Sequence, residues 1–129
     1  MKKSTFAFAV LSVALAAFAL VSANAGEKPK MSTIVGQAVE LSSYAMLGGG
    51  EEHSAAMQNR CEQGFPVGIV EEETGDLYIC IYRHPAPASP METANEKLLP
   101  LMGRQVAAQG LVYKSGSVNV MRVNVISEY

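Results

Sequence analysis

His53, Met57 and Cys61 are spaced four residues apart within a segment rich in helix formers. On a helix, positions i, i+4 and i+8 lie on one face. Imidazole, thioether and thiolate are borderline or soft donors, a set suited to Cu(I). The same spacing equally describes a helix packing Met57 and Cys61 into a core, with His53 in the exposed first turn. A copper or redox site on this face is therefore one reading and plain packing is the other.

The chain has two cysteines, Cys61 and Cys80. In an oxidising compartment an even count points to a disulfide. A Cys61–Cys80 bridge would close a loop of about 20 residues and contribute roughly 3 kcal/mol through the unfolded state. It would also consume the thiolate that the copper reading needs.

Tyrosine is the other functional candidate. Tyr78 and Tyr82 alternate on one strand, and Tyr44 and Tyr113 lie on neighbouring segments. Together they would form a stacking surface for a small ligand, or simply pack across strands. Catalytic motifs are missing. The two histidines are His53 and His84, and no Gly-x-Ser-x-Gly, Cys-x-x-Cys or His-Glu-x-x-His pattern occurs. Glu71, Glu72 and Glu73 crowd into one turn, with nothing to separate their pKa values as acid–base work requires. The expectation is a protein without enzymatic activity.

The N-terminus carries an address. Met1-Lys2-Lys3 is a basic start, Phe6 to Val21 is apolar except for Ser12, and Ala23-Asn24-Ala25 has the small-x-small form of a cleavage site. These are the parts of a secretory signal peptide over residues 1–25. The apolar run is shorter than the roughly 20 residues of a spanning helix. A periplasmic or secreted protein beginning at Gly26 is expected, with no membrane span after cleavage. The 49% hydrophobic content is inflated by this leader. Without it, eight basic residues face twelve acidic ones, a formal charge of −4. That balance argues against nucleic acid or anionic lipid as partners.

The elements that must position these residues follow from periodicity. Residues 26–31 read as a flexible arm, and 32–129 as one small domain. Thr33 to Leu41 is β-branched and reads as a strand, with Gly36 marking a bulge or bend. Ser42 to Leu47 is irregular. Gly48-Gly49-Gly50 breaks the chain before a helix over Glu51 to Gln63, which Gly64, Phe65 and Pro66 terminate. Val67 to Val70 and Leu77 to Tyr82 form a hairpin. The second strand places Leu77, Ile79 and Ile81 on one face and Tyr78, Cys80 and Tyr82 on the other. A proline-rich loop over His84 to Pro90 leads to a short helix, Asn95 to Met102, capped by Asn95 and restarted at Pro100. Gln105 to Tyr113 and Val118 to Ile126 form a second hairpin. A change of phase near Met121 implies a bulge there.

Five strands, with one helix inserted between strands 1 and 2 and a short one between strands 3 and 4, is the layout of an OB-type Greek-key barrel. Three stretches carry a further likeness: GGEEHSAAMQNRCEQGFPVGIV at 49–70, GDLYICIY at 75–82 and NEKLLPLMGRQVAAQGLVYKSG at 95–116. In these the chain resembles small exported bacterial proteins of OB-like type. The resemblance implies cysteines on the helix that follows the histidine. Here the positions three and seven after His53 are Ala56 and Arg60, and Cys61 stands one place further on. The combined expectation is an envelope binding or accessory protein that contacts a small ligand or a protein through its strand face or the groove beside the helix. A copper or redox-handling protein, and a structural or inhibitory protein with no ligand site, are the alternatives.

Overall fold

The computed structural model describes residues 27–83 and 92–129. The leader expected at 1–25 and the proline-rich loop expected over 84–90, with His84, lie outside these residues. Five strands close a barrel in the order β1-β2-β3-β5-β4: β1 Lys30–Glu40, β2 Val67–Glu71, β3 Leu77–Ile81, β4 Gln105–Ser115 and β5 Val118–Glu128. Every pairing is antiparallel except β3 with β5. This is the OB-type barrel, in which each strand pairs with two neighbours. Among the described residues no helix is long and apolar enough to cross a membrane.

β1 serves two neighbours. Lys30 to Gln37 pair with β4, and Gly36 to Glu40 pair with β2. The handover at Gly36 requires glycine, because a Cβ there would overlap the Val70 carbonyl oxygen. The bend expected at Gly36 is this corner. Gly110 on β4 plays the same part against the Arg122 carbonyl.

Among the described residues, three short helices and two 3₁₀ turns cover one end of the barrel. α1 is Leu41–Leu47, α2 is Ser54–Glu62 and α3 is Ala94–Leu98. A 3₁₀ turn at Glu51–His53 leads into α2, and another at Leu99–Leu101, opened by Pro100, follows α3. α2 ends as its sequence predicts. Gly64 takes φ +88°, Phe65 N–H donates to the Arg60 carbonyl and Gly64 N–H to the Cys61 carbonyl, both at 3.1 Å.

Several elements differ from expectation. α1 replaces an irregular stretch, because Glu40 caps it from inside the fold. The Glu40 carboxylate accepts from Ser42 N–H at 2.9 Å, Ser43 N–H at 2.8 Å and the Ser42 hydroxyl at 2.6 Å. A glutamate N-cap at the end of a strand gives little local signal. Thr93, not Asn95, caps α3, accepting from Glu96 N–H at 3.3 Å. β1 begins at Lys30, so the last residues of the expected arm belong to the barrel. The β5 bulge sits at Asn124 rather than near Met121: Gln109 pairs with Val125 and Gly110 with Val123, leaving Asn124 between. The inward phase of Met121 and Val123 ends there, and Val125 is 61% exposed.

The alternation expected on β3 holds, and the barrel decides which of its faces is inward. Tyr78 and Cys80 face into the barrel and are buried beside Ile69 and Met121. Leu77, Ile79 and Ile81 face outward and are only half-buried. The closed barrel decides this, since its narrow interior accepts one phase of each strand.

Candidate functional site

The three metal candidates serve different ends. His53 lies in the 3₁₀ turn ahead of α2, partly exposed, with Nε2 3.8 Å from a Glu52 carboxylate oxygen. Met57 is fully buried, and its methyl packs near Gly103. Cys61 is buried, and its thiol donates to the Asn95 carbonyl at 3.4 Å. Burial first, then the nearby Glu40 and Glu62 carboxylates, push this thiol up to about 11. A thiol must deprotonate to bind Cu(I), so that environment works against ligation. Among the described residues no three His, Cys, Asp or Glu side chains are placed to hold a metal ion.

The expected Cys61–Cys80 bridge is not formed: both thiols are free and buried. Cys80 sits in the barrel, donates to the Tyr78 carbonyl at 3.7 Å and is pushed up to about 12 by burial. One cysteine belongs to the helical cap and the other to an inward strand position, an arrangement that sequence spacing does not reveal.

The four tyrosines do not form one platform. Tyr78 is 4% exposed inside the barrel, its hydroxyl donating to Glu71 Oε2 at 3.4 Å. Burial and the Glu71 carboxylate raise its pKa, the burial more strongly. Tyr44 is half-buried on α1, against the core and the glycine turn. Tyr82, just past β3, also packs on the core, with Lys97 Nζ 5.4 Å and the Arg83 guanidinium 5.7 Å from its ring centre. Glu92 bridges those two cations at 3.8 and 3.9 Å. Tyr113 is on the outer face of β4 and is 37% exposed.

Tyr113 instead belongs to an aliphatic surface on the outside of the barrel. It pairs with Val120 on β5, which pairs with Ile79 on β3. The neighbouring row runs from Met31 on β1 through Leu111 and Arg122 to Ile81. Val118 and Met31 are exposed, while Leu111, Val120, Ile79 and Ile81 are half-buried. Residues on adjacent strands at paired positions share a face, so these side chains form a continuous apolar patch across four strands. No charged side chain except Arg122 lies within the two rows.

A second surface lies at the helical end. A groove of about 560 Å³ runs between α2 and the start of β4, lined by Glu51, Ser54 and Gln58 on one side and by Arg104, Gln105, Glu128 and Tyr129 on the other. Its residues come from separated parts of the chain, and nothing in their local sequence joins them.

The fold and these two surfaces define a small OB-type barrel with an exposed aliphatic face and a polar groove. Compared with protein-family models, curated proteins and solved structures, the chain gives no match.

Proposed function

We propose that this chain is a non-enzymatic binding or accessory protein of the bacterial cell envelope, and that it contacts a protein partner through the outer face of β3, β5 and β4. The observation that carries the reading is the outward turn of Ile79 and Ile81, with Ile79 in register with Val120 and Tyr113 and Ile81 beside Arg122 and Leu111. Contiguous apolar surface exposed to water is unfavourable at roughly 25 cal/mol per Å² and marks contact sites on small proteins. Aromatic and aliphatic side chains grouped around one arginine match the composition of interface centres. The leader-like residues 1–25 support an exported location, and the net negative charge of the remainder turns the reading away from nucleic acid.

Photo-crosslinking in cells tests it. A crosslinking residue at Ile79 should capture a discrete envelope protein, and Val120→Glu should abolish the capture. A crosslinking residue at Glu73, in the exposed turn between β2 and β3, should not capture that protein. Absence of a product from Ile79, Val118 and Tyr113 alike would sink the proposal and favour a structural role.

A further inference from the structure

The polar groove at the helical end has a chemistry of its own, independent of the aliphatic face. Gln58 lies on α2, Arg104 precedes β4 and Gln105 opens it, and Glu128 ends β5 with Tyr129 after it. Met102, buried almost completely, supplies apolar surface to the same groove. The Tyr129 backbone N–H donates to the Gln105 carbonyl at 3.0 Å, which anchors the residue at the rim. The residue as a whole is 78% exposed.

The charges in the groove balance against an anion. One nitrogen of Arg104 donates to both carboxylate oxygens of Glu128, at 3.2 and 3.4 Å. That pair neutralises the only cation in the lining, and Glu51 adds a further negative charge. A phosphate or carboxylate ligand would meet repulsion. What remains is a set of planar polar groups, two amides, a guanidinium and two carboxylates, each offering two donors or acceptors in a fixed plane. Such groups match the spacing of adjacent hydroxyls on a sugar ring. The free faces of Tyr129 offer a flat apolar surface to the C–H side of that ring. The volume falls within the range of small-ligand sites, about 300–1,000 Å³.

We infer that this groove binds a neutral saccharide segment, with Tyr129 stacking on a sugar ring and Gln58, Arg104 and Gln105 contacting its hydroxyls. OB-type barrels as a class use their surfaces for oligosaccharides as well as oligonucleotides. The inserted helix α2 forms one wall, so the insertion between β1 and β2 creates the site.

The test is amide NMR and calorimetry on the purified protein with chitotriose and maltotriose, and with inorganic phosphate as the contrasting probe. At least one trisaccharide should bind with a dissociation constant of about a millimolar or below, and should shift the signals of Gln58, Arg104 and Gln105. Tyr129→Ala should weaken that binding roughly tenfold with an unchanged melting temperature, and Tyr129→Phe should keep it. The inference is overturned if neither sugar moves these signals or if phosphate moves them instead. It is equally overturned if sugar binding survives both Tyr129→Ala and Gln105→Ala.

Discussion

Asn95 and Cys61 hold one another reciprocally across the helical cap. The Asn95 side-chain amide donates to the Cys61 carbonyl at 3.0 Å, and the Cys61 thiol donates to the Asn95 carbonyl at 3.4 Å. The same amide also donates to the Phe65 carbonyl at 2.7 Å. One buried side chain therefore satisfies two carbonyls at the C-terminal end of α2 and ties that end to α3. The link fixes the inserted helix to α3, and with it the wall of the polar groove.

Removing that side chain should loosen the cap. Asn95→Ala leaves the Phe65 carbonyl without its donor and the Cys61 carbonyl with only the Gly64 N–H, and should cost about 1–2 kcal/mol in urea unfolding. Asn95→Asp should cost more, since a carboxylate would face those carbonyl oxygens in place of the two donated N–H groups. A loss below about 0.5 kcal/mol for Asn95→Ala would mean that water replaces the amide and that the clamp is not structural.

The two thiols make stability depend on alkaline pH. Each has a folded-state pKa above the ordinary 9.0, about 11 for Cys61 and about 12 for Cys80. Above pH 9 the unfolded chain releases these protons while the folded one keeps them, so the folded state binds more protons and stability falls as pH rises. The decline runs from about pH 9 to 11 for Cys61 and on toward 12 for Cys80, at about 1.4 kcal/mol per pH unit for each thiol titrating. Cys80→Ala should flatten the upper part of the slope. A thiol-reactive disulfide at pH 8 should label both residues slowly in the folded protein and completely in denaturant. A count of zero thiols in denaturant would contradict the free state.

The barrel corner at Gly36 should tolerate no side chain. Gly36→Ala drives a Cβ into the Val70 carbonyl and should cost at least about 2 kcal/mol. Gly75→Ala is the contrasting case. Gly75 has φ +75° but open space around it, so the cost should be only about 1 kcal/mol of backbone strain. Thermal unfolding of the two variants side by side checks the order. If Gly75→Ala proved the more damaging, the close approach of β1 to β2 would not be what fixes the corner.

Much of this architecture is legible in local pattern. Alternation and turn residues place the five strands, the glycine and proline stops end α2, and Pro100 restarts the segment after α3. Each of these signals acts within a few residues, through backbone sterics or the period of side chains about the chain axis. The element order then leaves an OB-type barrel as the natural closure.

What local pattern cannot supply is which phase of a strand faces inward and which distant residues meet. β3 carries two apolar phases of similar hydrophobicity, so alternation alone could not separate the tyrosine–cysteine face from the leucine–isoleucine face. Closure into a narrow barrel chose Tyr78 and Cys80 for the interior and turned Ile79 outward. Glu40 as a cap, Asn95 as a clamp and the groove lined by Gln58, Arg104 and Tyr129 likewise rest on contacts between segments far apart in the chain. The sequence by itself determined the five strands, the helix before β2 and their order. The tertiary structure alone decided the surfaces, because a surface is made by bringing together residues that no local interaction connects.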